Sequence, residues 1–126
     1  MARSQHRSQR KSSGGRYHPS RTKKKYELAG FPANTKLADE QKVRKARIMG
    51  GNQKYSVLLA KKVNVADKKG KTVTADILNV VENPANPNLV RRNVITKGAV
   101  VETKLGRVRI TNRPGQEGSL NGILVA

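Results

Sequence analysis

Residues 55–82 read YSVLLAKKVNVADKKGKTVTADILNVVE, and the alternation inside this stretch decides the fold class. Tyr55, Val57, Leu59, Val63 and Val65 fall on one parity, interrupted at Lys61, while Ser56, Lys62 and Asn64 fall on the other. Successive side chains of a strand point to opposite faces, so this spacing predicts a half-buried strand. Asp67, Lys68, Lys69 and Gly70 then turn the chain into a second run, in which Val73, Ala75, Ile77 and Val81 oppose Thr72, Thr74 and Asp76. The two runs are expected to pair as a hairpin.

The same pattern continues on both sides. Toward the carboxyl end, residues 89–96, 99–105, 107–111 and 120–125 read as short strands. They are divided by Lys97-Gly98, by Gly106 and by Asn112-Arg113-Pro114-Gly115, turn residues that favour positive φ or remove ladder donors. The run Asn83-Pro84-Ala85-Asn86-Pro87-Asn88 is the densest turn signal in the chain and reads as a surface loop. Toward the amino end, residues 42–49 run into Gly50-Gly51-Asn52, which tolerate positive φ and predict a hairpin turn. Residues 36–43 are ambiguous: Asp39 could cap a short helix, but Leu37, Val43 and Ile48 fit a helical stripe poorly. The fold class expected is all-β, a small closed or partly open barrel.

Upstream of Phe31 the pattern stops. Residues 1–26 carry Arg3, Arg7, Arg10, Lys11, Arg16, Arg21, Lys23, Lys24 and Lys25, and the first acid is Glu27. Almost no aliphatic residue interrupts the Ser, Gly and Pro, so neither strand nor helix period is present and the segment reads as an extended arm. About 30 residues fully extended reach roughly 100 Å. The expected organisation is an arm over residues 1–30, a connector over 31–41 containing Pro32, and a barrel domain over 42–126.

The whole chain of 126 residues has 27 Lys and Arg against 8 Asp and Glu, a formal net charge of +19. Such a chain repels itself unless a polyanion is present. No apolar run is long enough to span a bilayer or act as a signal peptide, so an intracellular, soluble protein is expected. With no Cys, disulfides and most zinc sites are excluded, and both histidines, His6 and His18, lie in the arm. The acids Asp67, Asp76, Glu82, Glu102 and Glu117 are scattered rather than paired for acid and base work. Catalysis is therefore not expected. The Gly50-Gly51-Asn52-Gln53-Lys54 run lacks the spacing of a phosphate loop and reads as a hairpin whose Lys54 can still meet a phosphate.

Neutralising phosphates releases condensed counterions, so the acid-free arm points to nucleic acid rather than to a merely solubilising tail. Tyr17 and Tyr26 could stack on bases, and Arg107 and Arg109, alternating with Val108 and Ile110, would face outward from a strand. The outward arginines read equally as a second contact surface or as a plain soluble face. A DNA architectural protein shares the charge but needs a groove-reading helix or an intercalating wedge, and neither a basic amphipathic helix nor more than one Phe is present. A nucleic-acid-processing enzyme would need a metal or acid cluster.

Arg10-Lys11-Ser12-Ser13-Gly14-Gly15 followed by Lys23-Lys24-Lys25-Tyr26-Glu27-Leu28-Ala29-Gly30 resembles the signature of the S-eight-e family of small-subunit ribosomal proteins of archaea and eukaryotes. Asn34-Thr35, Arg47 through Tyr55, and Asn83 through Arg91 resemble the same family in the same order. The chain lacks the long insertion of eukaryotic members, so it looks like the short archaeal form. Gln53 stands where the eukaryotic motif has Lys, removing one expected cation.

The resemblance implies a barrel with a basic arm, no enzymatic activity, no cofactor and no small-molecule substrate. It implies a cytoplasmic protein within the ribosome, with small-subunit ribosomal RNA and neighbouring ribosomal proteins as partners. The RNA-contact residues it implies are Arg10, Lys11, Gly14, Gly15, Lys23, Lys24 and Lys25 in the arm and Arg47, Gly50, Gly51, Asn52 and Lys54 at the hairpin. Arg3, Arg7, Arg16, Tyr17, Arg21, Arg107 and Arg109 complete the candidate set. Gly14 and Gly15 would let backbone amides approach phosphates while the cations fix register.

Overall fold

A computed structural model of the protein describes residues 7–67 and 70–125. It divides into two compact units, residues 1–32 and residues 33–126.

Among the described residues, the second unit holds eight strands: β1 (Lys36–Leu37), β2 (Lys42–Arg47), β3 (Gln53–Ala60), β4 (Lys62–Ala66), β5 (Thr72–Glu82), β6 (Val100–Thr103), β7 (Gly106–Ile110) and β8 (Asn121–Leu124). The last five close into a barrel in the order β4-β5-β6-β7-β8. Neighbours are antiparallel from β4 round to β8, and β8 then pairs with β4 in parallel, Val65 opposite Gly122. An up-and-down barrel of five strands must close this way, because an odd count leaves the first and last strands running in the same direction. Closure removes exposed sheet edges. Outside the barrel, β3 lies between β1 and β2 in a three-stranded sheet.

The barrel interior is aliphatic. Val63, Val65, Ala75, Ile77, Val80, Val101, Val108 and Ile110 are buried there, joined by Val57, Ala60, Ile95 and Leu120. Phe31 and all three tyrosines stay exposed. Narrow β-branched side chains suit both the pleated strands and a small interior. Fully burying each one contributes about 1.5–3 kcal/mol.

Four expectations change in the folded chain. Residues 55–65 are not one strand: the chain kinks at Lys61, so Ala60 turns inward, Lys61 stays in water, and the run is shared between β3 and β4. A lysine on the inward parity cannot enter the apolar interior, and a kink there keeps its charge hydrated. Only β4 pairs with β5, while the Lys61 carbonyl accepts the Ile77 amide at 2.8 Å. Along β5, Val80 rather than Val81 is buried, because the register against β6 shifts between Ile77 and Asn79. The Asn79 side chain accepts the Val80 amide at 2.9 Å at that bulge, which bends the strand around the barrel.

Residues 89–96 are not a strand either. Pro87–Arg92 forms a 3-10 turn, with Asn86 accepting the Asn88 amide at its start and Asn93 in the left-handed conformation at its end. Asn is one of the few side chains that tolerates that conformation. The ambiguous residues 36–43 form β1, a bend and the start of β2 rather than a helix around Asp39. The dense turn signal at 83–88 conceals a buried anchor. Asn83 is 2% exposed, donates to the Val94 carbonyl at 3.2 Å, and accepts from the Ala85 amide at 3.1 Å and the Thr96 hydroxyl at 3.0 Å. Asn83→Ala would strand all three groups, and the expected loss is about 2–3 kcal/mol of unfolding free energy, measured by urea denaturation of the full chain.

The segment from Ala33 to Ala38 straps this unit together. The buried Thr35 hydroxyl donates to the Val57 carbonyl, its own carbonyl accepts from Ile95 at 2.8 Å, and the Leu37 amide donates to Asn93 at 3.0 Å. The loop after β7 holds the β2–β3 hairpin from the other side. Pro114 accepts the Val57 amide and Gly115 accepts the Ser56 hydroxyl, both at 2.8 Å. The base of the hairpin is thereby tied to the loop after β7.

Candidate nucleic-acid interface

In the first unit, the Arg10 to Arg16 segment folds back on itself. Arg10 and Arg16 form an antiparallel bridge, the Gly14 amide donates to Lys11 at 3.0 Å, and the Lys11 amide donates to Gly15 at 2.7 Å. Gly14 takes a φ of 84°, the left-handed residue that a three-residue hairpin loop requires. The Gly14 amide is thus engaged within the turn, so this glycine supplies conformation; the Gly15 carbonyl is engaged as well. The Arg10 guanidinium donates to the Gly14 carbonyl at 2.8 Å. Tyr17 is flanked by Arg7, 4.3 Å from the ring centroid, and Lys11, 5.5 Å away.

Further along, Arg21 grips Glu27 through two hydrogen bonds, 2.7 and 3.4 Å long, and donates to the Tyr26 hydroxyl at 2.9 Å. Glu27 is 6% exposed and also accepts the Lys24 amide at 3.1 Å, capping the short turn Lys25–Glu27. The hydrogen bond to Glu27 is the main reason the Arg21 pKa is raised above its ordinary value. A raised basic group contributes its stabilisation below the unfolded pKa and loses it only as pH climbs through the folded one, so Arg21 stays charged throughout the neutral range. A cleft of about 630 Å³ in this unit is lined by Arg7, Tyr17, His18, Arg21, Lys23 and Glu27 among others. Lys23, Lys24 and Lys25 are exposed. Arg3 and His6 lie outside the described residues.

In the second unit, the β2–β3 hairpin carries the other cluster. β2 is an edge strand in which every residue except the half-buried Ala46 is exposed, so Lys42, Arg44, Lys45 and Arg47 all reach solvent. Arg47 sits opposite Gln53 and Ala46 opposite Lys54. The turn places Gly50 and Gly51 at φ 76° and 78°, as the glycines predict, and closes with the Ile48 amide donating to Asn52 at 2.8 Å. Lys45 lies 5.9 Å from the Tyr55 ring, whose hydroxyl donates to Gln53 at 3.0 Å. From Gln41 to Ala66 the chain contains no acid.

Arg107 and Arg109 are exposed on β7 while Val108 and Ile110 point into the barrel. Glu102 stands opposite Arg107 in register, so this face is of mixed charge.

Three features escaped the sequence reading. Lys42, Arg44 and Lys45 belong with Arg47 on one solvent-exposed strand. The signal was available: KVRKAR has apolar residues only at Val43 and Ala46, three apart, which denies the strand an inward face. Arg91 and Arg92 are exposed on the 3-10 turn. Glu27, the acid that ends the basic run, is the buried partner that orders it.

Among the described residues, no group of three or more His, Asp or Glu side chains could hold a metal ion, and no helix is long and apolar enough to cross a membrane.

The model of the family described as Ribosomal protein S8e matches residues 4–125. A protein of Methanobrevibacter smithii named Small ribosomal subunit protein eS8 is 51% identical over 126 residues, covering 99% of this chain and 100% of that protein. Proteins of the same name from Methanocorpusculum labreanum and Nanoarchaeum equitans are 48% and 50% identical, covering 96% and 88% of this chain and 97% and 88% of those proteins. The family is one of ribosomal structural proteins rather than enzymes. With a closed five-stranded barrel, a basic arm and a match along nearly its whole length, the chain belongs to the S8e family of ribosomal proteins.

Proposed function

We propose that the chain is a structural component of the small ribosomal subunit that binds ribosomal RNA through two surfaces, the arm and the β2–β3 hairpin. The relatives' names and their archaeal sources put its place of work in the cytoplasm, within the ribosome and beside other ribosomal proteins. The observation that carries the reading is that both surfaces are runs of exposed cations without an exposed acid among them. Arg and Lys there neutralise phosphates and bridge RNA segments that would otherwise repel, which supports assembly and rigidity. RNA is favoured over DNA because the relatives are named as small ribosomal subunit proteins, and the helical segments among the described residues, three short 3-10 turns, include no groove-reading helix. A-form RNA is bound by shape and phosphate instead.

The test is competition between structured small-subunit ribosomal RNA and duplex DNA of matched length, with sedimentation alongside small subunits. Preference for the RNA and co-sedimentation are expected, with log affinity falling against log salt at a slope on the order of −6 if about eight phosphates are neutralised. Equal binding of the DNA, or failure to sediment with subunits, would refute the reading.

A further inference from the structure

Met49 is 93% exposed at the very tip of the β2–β3 hairpin. It precedes Gly50 and Gly51, both at positive φ and both without a side chain to shield it, and follows Ile48, itself 41% exposed. Arg47 and Lys54 flank the tip from the two strands, with Lys42, Arg44 and Lys45 further down β2. An exposed thioether on a flexible loop would be unremarkable. Here the base of the hairpin is held at Ser56 and Val57 by the Gly115 and Pro114 carbonyls at 2.8 Å, and the β2–β3 ladder runs from there to the Arg47–Gln53 pair and the Ile48–Asn52 bond just behind the tip.

Cations draw this hairpin to a phosphate backbone, yet its foremost side chain can neither accept nor donate strongly to phosphate. What a polyanion offers such a group is the face of a nucleobase, and Met is among the side chains that wedge against base steps. Its polarisable sulfur also packs favourably on aromatic rings. In a continuous A-form helix the base faces are stacked away, and they open at bulges and helix ends. We infer that the hairpin tip seats at an RNA bulge, where Met49 covers an unstacked base while Arg47 and Lys54 bind the phosphates on either side. This rests on the RNA reading above, and adds to it a structural class of RNA element and the residue that selects it.

The experiment uses the full chain, two RNA duplexes of equal charge that differ only by a single-nucleotide bulge, and 2-aminopurine as the bulged base. The wild-type protein should prefer the bulged duplex and change the 2-aminopurine emission on binding. Met49→Ala should lose about fivefold in affinity for the bulged duplex, leave the perfect duplex and the salt slope unchanged, and abolish the emission change. Met49→Leu should retain the preference. Arg47→Gln should weaken both duplexes alike and make the salt slope shallower. An unchanged melting temperature confirms that the Met49 variants are folded.

Equal binding of the two duplexes by the wild type, or an equal loss on both with Met49→Ala, overturns the inference while leaving RNA binding intact. Failure to bind either duplex overturns the RNA reading as well. If Met49→Ala binds both RNAs normally but is poorly incorporated into subunits, the tip contacts a neighbouring protein and the inference is wrong.

Discussion

Deleting residues 1–30 is expected to weaken binding to small-subunit ribosomal RNA about a thousandfold near physiological salt and to move the salt slope from about −6 to about −2. The estimate assigns about five of eight neutralised phosphates to the arm, each contributing about 0.7 to the slope in a flexible or single-stranded setting. The arm holds nine cations before its first acid, but Arg21 is committed to Glu27, and Arg7 and Lys11 lie over Tyr17. Filter binding across a salt series measures both quantities. The deletion removes nothing from the core, which is built from residues between Val57 and Leu120, so thermal unfolding of the barrel should move little. Unchanged affinity and slope would show that the arm does not bind RNA.

Gly122→Ala should be the most destabilising single methyl that can be added to a glycine of this chain. Gly122 lies in β8, opposite Val65 of β4 on one side and Ile110 of β7 on the other, where the barrel closes. A Cβ there would stand 2.5 Å from the Val108 side chain and 2.9 Å from the Arg109 carbonyl oxygen. The carbonyl belongs to the ladder and cannot rotate aside. Overpacking of this kind costs about 1–3 kcal/mol, and at about 4–8 °C per kcal/mol for a domain of this size the melting temperature should fall by about 4–24 °C. Gly30→Ala, where nothing lies within 4 Å, is the control and should leave the melting temperature unchanged. Equal behaviour of the two variants would mean that β8 can move outward without opening the barrel.

The local signals survive folding well. Alternation in residues 75–77 and 107–110 correctly orients Ala75, Ile77, Val108 and Ile110 inward and Arg107 and Arg109 outward, because a strand's period of two is a property of the backbone; Val73, on the same parity as Ala75, is instead 49% exposed. The glycines at 50 and 51 mark the hairpin for the same reason: the conformation needed there is local. The failures cluster where one residue breaks the period. Lys61 and the Asn79 bulge each shift the buried parity, and neither shift can be seen until the partner strand is known. Leu89, Val90, Val94 and Ile95 look like a strand, yet the turn chemistry of Asn86, Pro87 and Asn93 prevails over their β-propensity, leaving only Val94 and Ile95 buried.

The candidate interface divides along the same line. Charge without acid is visible in any sequence, and it marked the arm directly, whereas Arg47 to Lys54 at the hairpin came from the family resemblance. Burial is not visible, and it gives several of the family's motif residues a structural role. Thr35 and Asn83 are sealed inside the second unit as hydrogen-bond anchors, and Asn34 takes a φ of 42° at the entrance to the strap. Glu27 is buried against Arg21.

The all-β class, the basic arm and the hairpin turn are legible in the chain alone, since each depends on periodicity, net charge or the conformational range of glycine over a few neighbouring residues, and the family is legible through the resemblance of its ordered motifs. Only the tertiary structure decided that residues 55–65 serve two sheets, that β8 closes on β4 in parallel, and that β2 is an edge with nearly every side chain in water. Those outcomes depend on which strand lies beside which, and pairing energy between segments 57 residues apart, as in the bond from Asn64 to Asn121, leaves no trace in either segment alone.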